Sequence, residues 1–271
     1  MRYQVYDPSA ELQPFIKCFW SLDGDAEPDP TRQRIVPDGC MELIFHYGDR
    51  YRQFLEDGSN IIQPVSFLFG QITNYIEIAP TGITGLVAAR FQPGGFTPFL
   101  TGPISRFDNK ATELQHVFGD AGTQLESAVL TAPDTKERIG VIEAFLINAY
   151  TSSITIDRVT SDCVDLITRS KGQLSADAVA GHVNINRRNM ERRFRTMIGM
   201  SPKQLSRVIR LQDALRKLEQ KNYTSLTSLA YDNGYYDQAH FIREFREFTG
   251  ISPKLFYAGN FYLTRLFTAG T

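Results

Sequence analysis

The sequence predicts an α+β protein: an antiparallel β-barrel or sandwich with accessory helices over residues 1–155, an all-α region of two helix-turn-helix units joined by a linker helix over 160–260, and a tail over 261–271. Three observations carry this prediction. The first hundred residues fall into short β-type runs separated by turn residues. The last hundred contain a long internal repeat with helical periodicity. Charge divides the same way: residues 1–170 hold 13 basic and 22 acidic side chains, and residues 171–271 hold 16 and 8, although the 271-residue chain as a whole has a formal charge of -1. An acidic half followed by a basic half predicts two domains and a polyanionic partner for the second, because Lys and Arg neutralise phosphates and release counterions.

The β-type runs, in order, are RIV before PDGC, MELIFHY before GDR, VSFLFG, NYIEIAP, and GLVAARF before QPGG. This spacing suggests a sandwich or small barrel. From about Ala111 to Tyr150 the apolar residues recur three and four apart, in LQHVF, LESAVL and RIGVIEAFLINAY, which predicts helix. The stripe Val141, Phe145, Ala149 suits either a contact between two chains or packing on the chain's own sheet. A polar stretch, TSSITIDRVTSD, is the expected linker.

The repeat begins after it. FRTMIGMSPKQL from Phe194 and FREFTGISPKLF from Phe245 are offset by 51 residues, and VAGHVNINRRNMERRF corresponds to LAYDNGYYDQAHFIREF with one extra turn residue. Each copy reads as helix, turn, helix. Ser175 caps a first short helix, Asn184 takes a left-handed turn position, and Asn186 caps a helix starting at Arg187. In the second copy, Ser225, Gly234 and Asp237 do the same, with the helix starting at Gln238. The stripes Met190, Phe194, Met197 and Phe241, Phe245, Phe248 are the expected buried faces. The opposite faces carry Arg188, Glu191, Arg192 and Arg195 in one copy, beside Arg187, and Ala239, Ile242, Arg243 and Arg246 in the other. A guanidinium fork suits guanine O6 and N7, and a small apolar side chain suits a thymine methyl. Between the copies, Ser201 and Pro202 start a helix through Leu205, Ile209, Leu211, Leu215 and Leu218 to about Lys221. Its length of about 30 Å matches the roughly 34 Å between successive major-groove faces of B-DNA.

The stretches MERRFRTMIGMSPKQLSRVIRLQDAL and GYYDQAHFIREFREFTGISPKLF resemble the AraC/XylS family of transcription regulators, over about residues 161–259. That resemblance implies sequence-specific DNA binding, with base-reading positions at Arg188, Glu191 and Arg192 in the first unit and Gln238, Ala239 and Arg243 in the second. Asn184 stands where the family has a turn glycine, and Tyr235 where it has phenylalanine. IVPDGCMELIFHYGD, GLVAARFQPGGFTPFL and GPISRFDNKATEL are similar to a sensor-type N-terminal domain of some such regulators, cupin-like in architecture, which implies a small-molecule effector. The partners then expected are operator DNA, an effector, a second copy of the chain and RNA polymerase, with no cofactor and no catalytic residue.

Other chemistry is sparse. Cys18, Cys40 and Cys163 are far apart and predict plain thiols in a reducing compartment. His46, His116, His182 and His240 lack metal-ligand spacing; a metal enzyme built on His46 and Glu42 is the rival from another class, and a ligand-free dimerisation scaffold a third reading. Phe45, Tyr47, Phe67 and Phe91 are either pocket walls or plain core, and Pro37-Asp38-Gly39 is first of all a turn. MRYQVYDPSAELQPF has neither the basic start nor the apolar stretch of a signal peptide, and no segment approaches a membrane span of roughly 18 apolar residues, so a cytoplasmic location is expected.

Overall fold

A computed structural model describes residues 1–150, 157–259 and 263–264. Among the described residues, ten strands precede ten α-helices, with two short 3-10 turns (Thr97–Phe99 and Ile104–Phe107) before the last strand. Strands β1 (Arg2–Tyr6), β2 (Ile16–Gly24), β9 (Thr84–Phe91), β4 (Glu42–His46), β7 (Ser66–Phe69) and β10 (Ala111–Glu113) lie side by side in that order. A second antiparallel sheet has the order β3 (Gln33–Ile35), β8 (Ile76–Pro80), β5 (Tyr51–Phe54), β6 (Asn60–Ile62). The predicted sandwich is therefore present, with helices α1 (Leu114–Phe118), α2 (Asp120–Thr131) and α3 (Thr135–Ala149) forming a third layer.

The central strands of the larger sheet, β2, β9, β4 and β7, are buried on both faces, and alternation assigns their side chains. Phe19, Leu43, Phe45, Val87, Ala89 and Phe91 meet the helices through Ile139, Ile142 and Leu146. Trp20, Leu22, Leu86 and Ala88 face the second sheet through Tyr51 and Ile78. Burial on both faces explains why β2 shows no polar alternation and is not legible as a strand in the sequence. Phe45, Phe67 and Phe91 are completely buried core, which settles their two readings in favour of packing. Val141, Phe145 and Ala149 lie against their own sheet's core.

Two boundaries differ from the sequence reading. Ala111–Glu113 is strand, because it pairs with Phe67–Phe69 at the sheet edge, and helix begins only at Leu114. The expected linker is shorter: residues 151–156 lie outside the described residues, and from Arg158 the chain is already α4 (Arg158–Arg169), capped by Asp157. Its buried positions Thr160, Cys163, Val164 and Ile167 keep helical spacing, masked in the sequence by two polar residue types.

The remaining helices are α5 (Ala176–His182), α6 (Arg187–Met197), α7 (Pro202–Glu219), α8 (Leu226–Asp232), α9 (Gln238–Thr249) and α10 (Pro253–Ala258). Helix α7 belongs to two cores. Leu205 joins Ile167, Val179, Met190 and Phe194 of the first unit. Val208, Leu211, Ala214, Leu215 and Leu218 join Leu229, Phe241, Phe245 and Phe248 of the second.

One buried titratable group gives the sandwich a pH dependence. His46 stacks on Tyr51, and its Nδ1 donates to the Pro64 carbonyl at 3.1 Å. Burial pushes its imidazole down from 6.5 to about 4. The unfolded chain therefore binds a proton that the folded chain refuses, so this contribution is complete above about pH 6.5 and is lost as the pH falls towards 4. Urea unfolding at pH 4.5 is expected to show a loss of about 2–3 kcal/mol from this group relative to neutral pH. His46→Gln should flatten that part of the profile; an unchanged slope would contradict a neutral buried histidine.

Candidate nucleic-acid interface and internal cavity

The local rules of the repeat are met in both units. Side chains of Ser175, Asn186, Ser225 and Asp237 cap α5, α6, α8 and α9 by accepting from Ala178, Asn189, Ser228 and His240 backbone N–H groups. Asn184 (φ +56°) and Gly234 (φ +71°) sit in the left-handed region at equivalent turns. Ser201 and Gln204 form a reciprocal capping box, with Pro202 at the first helical position of α7.

Packing of the predicted faces fixes what is left outside. Arg187, Arg188, Glu191, Arg192 and Arg195 are all exposed on α6. Arg187 is engaged within the unit, bonding Glu191 at 3.0 Å and Asp177 at 3.0 Å, whereas Arg192 donates to Asn189 at 2.8 Å. On α9, Ala239, Arg243 and Arg246 are exposed. Gln238 is half-buried and accepts from Thr227 at 2.6 Å. Ile242, placed on the open stripe by the sequence reading, is half-buried against the second unit's core, because it is three residues from the buried Phe245 and flanks that stripe.

Helix α9 is clamped to α7 by a charge cluster that the repeat does not reveal. Glu244 is 4 % exposed and bonds Arg207 at 2.8 Å and Arg210 at 2.9 Å. Burial alone would raise the Glu244 pKa, but the two guanidinium groups hold it below the ordinary carboxylate range.

The second site lies between the two sheets of the sandwich. A cavity of about 80 Å³ is walled by Trp20, Leu22, Ile44, Phe69, Ile78 and Leu86, with Leu263 on one side. Its polar corner is Asp38, Glu42 and Arg90. Glu42 and Arg90 are directly paired across β4 and β9, and Arg90 Nε donates to Glu42 Oε1 at 2.7 Å. Trp20 Nε1 donates to the same oxygen at 3.0 Å, and Asp38 approaches Arg90 at 3.6 Å. Arg90 is 3 % exposed. The sequence reading missed this cluster; its only signal is a lone arginine in the apolar run GLVAARF. His46 and Glu42 hold no metal set between them, and among the described residues no cluster of three His, Cys, Asp or Glu side chains is arranged for one.

The turn over residues 36–40 joins cavity and DNA-binding half. Asp38 and Cys40 line the cavity. On the turn's other side, Val36 packs into the second unit's core, and Pro37 O accepts from Gln212 Nε2 of α7 at 2.7 Å. Gly39, at φ +80°, lies so near Leu205 that an added Cβ would stand 3.0 Å from its Cδ1. The N-terminal half also grips both second helices of the units. Thr97 Oγ1 donates to Met197 O at the end of α6 (2.7 Å), and Arg34 donates to Thr249 O at the end of α9 (2.7 Å).

Paired capped units, basic outer faces and a shared strut define a helix-turn-helix DNA-binding protein. Residues 179–258 match a family described as "Helix-turn-helix domain", and residues 4–113 match a "Domain of unknown function (DUF6597)". The HTH-type transcriptional regulator MtrA of Neisseria gonorrhoeae is 23% identical over 250 residues, covering 86% of this chain and 80% of that protein. An HTH-type transcriptional regulator of Haemophilus influenzae is 28% identical over 96 residues, or 35% of this chain and 32% of that protein. Among solved structures, ToxT from Vibrio cholerae aligns with a TM-score of 0.49 at 10% identity, over 89% of this chain and 98% of that one. Residues 179–258 are an AraC-type helix-turn-helix DNA-binding domain, and the chain is similar to transcriptional regulators. Among the described residues, no helix is long and apolar enough to cross a membrane.

Proposed function

We propose that the chain is a single-component switch in the cytoplasm: α6 and α9 read an operator through Arg188, Glu191, Arg192, Gln238, Ala239 and Arg243, and an effector in the sandwich cavity changes how well they do so. The observation that carries this reading is the turn over residues 36–40, with Asp38 and Cys40 facing the cavity and Pro37 and Gly39 seated on α7. A ligand that displaced Asp38 would disturb the seat of the helix that spaces the two units. Such a ligand shifts the population only if it binds the two placements unequally. Exposed Arg187, Arg195 and Arg246 flank the base-reading positions and suit backbone phosphates. The described 18 residues of α7 span about 27 Å, near enough to one helical turn of DNA for both units to occupy successive major grooves on one face.

Selection of binding sites from a randomised duplex pool with the full chain tests this. Two specified blocks with centres about 10 base pairs apart are expected, with affinity falling steeply with salt. A single specified block would mean that only one unit reads bases, and no enrichment would overturn the assignment of both helices.

A further inference from the structure

We infer that the sandwich cavity takes an organic monocation, an amine or amidine on a compact apolar body, with Glu42 and Asp38 as the anchoring acceptors; this rests on the reading of that cavity as the effector site.

The charge inventory of the cavity is unequal. Among the described residues that line it, two carboxylates, Asp38 and Glu42, face a single guanidinium, Arg90. Both use the same Arg90 Nε, at 3.6 and 2.7 Å. Asp38 Oδ1 accepts from the Cys40 N–H at 2.9 Å. Glu42 Oε1 accepts from Trp20 and Arg90, and Glu42 Oε2 has no hydrogen-bond partner among the described residues. Lys17 lies in the groove on the outer side of the turn with Asp213 and Arg216 of α7.

A buried charge needs a counter-charge or a set of donors, because burial removes the water that would otherwise solvate it. Burial pushes the Glu42 carboxyl up, the direction expected where compensation is incomplete. A guest ammonium brings one positive charge and several N–H donors to an oxygen that lacks them, while its body covers Ile44, Ile78 and Leu86. An anionic guest of the same shape meets a surplus of negative charge. A neutral guest gains the apolar contact alone.

Trp20 lines the cavity and is the chain's one tryptophan, so its emission reports occupancy directly. The full chain is titrated at neutral pH with isobutylamine, isobutanol and isobutyrate, which share a compact body and differ in the head group. The amine is expected to change Trp20 emission at concentrations about tenfold below the other two, the worth of one charge-assisted hydrogen bond over a neutral one. Glu42→Gln should largely abolish that preference, bringing the amine's midpoint to that of the alcohol in the same variant. If the alcohol or the carboxylate matches or exceeds the amine, the monocation inference fails and the cavity stands as a ligand site of other chemistry. If none of the three changes the emission, the cavity is not a ligand site and both readings fall. Should Glu42→Gln fail to fold, the head-group order in the unaltered chain still decides.

Discussion

Glu244→Ala is expected to lower the stability of the DNA-binding half by about 3 kcal/mol and to weaken operator binding with it. That figure is the low end for removing one partner of a buried ion pair, because Arg207 keeps its 2.5 Å bond to Glu247 while Arg210 loses its carboxylate partner. The change acts on geometry and not on a DNA contact, since Glu244 lies on the side of α9 that faces α7. Thermal unfolding of the variant should move to lower temperature, and Glu244→Gln, which keeps an acceptor, should fall between. The pH profile has a definite sign: a carboxyl held below its unfolded value stabilises the fold above the unfolded pKa, and the contribution disappears as acid titrates it. Unaltered stability in Glu244→Ala would show that the two arginines are equally well solvated without it.

The second large effect is on recognition itself. Arg188→Ala combined with Arg243→Ala is expected to weaken operator binding by about 1–3 kcal/mol for each lost base contact, with little change in unfolding. Both side chains are exposed, and among the described residues neither makes an ion pair, so their removal leaves no buried charge behind. The single variants should relax specificity at different positions of the site, one in each block. A variant at Arg195 or Arg246 should instead weaken all sequences alike and reduce the salt slope by about one unit. If the double variant binds the selected operator as the unaltered chain does, the two helices are not the readers.

How much of the fold and of the two sites is legible in the sequence depends on the distance over which each feature is encoded. Caps and turns are written within four residues, so Ser175, Asn184, Asn186, Ser225, Gly234 and Asp237 can be assigned from the residues alone. The buried stripes of α6 and α9 are equally readable, since a helix face repeats within seven residues. Strands buried on both sides lack alternation: β7 and β9 show instead as apolar runs, whereas β2, interrupted by Lys17, Ser21 and Asp23, escapes a reading, as does the hairpin of β5 and β6 with strands of only four and three residues. The cavity is out of reach altogether. Its acidic corner exists because antiparallel pairing sets Glu42 opposite Arg90, 48 positions away, and because a turn that looks like punctuation brings Asp38 to them. Glu244 is hidden differently: it sits among charged residues on a helix whose basic face draws the eye, and only the packing of α9 on α7 turns it inward.

The seat of α7 has a consequence for how such a regulator can be rebuilt. Val36 is part of the second unit's core, Gly39 fits against Leu205, and Thr97 and Arg34 hold the ends of α6 and α9. The two halves are therefore not interchangeable cassettes. A chimera that fused another sensor at the 151–156 junction would leave an unfilled place in the reading half's interior where Val36 now sits, and would leave both reading helices untethered at their ends. A working graft would need to carry the strip from Ile35 to Met41 along with the DNA-binding half, and inheritance of the two halves as a pair is what this architecture favours.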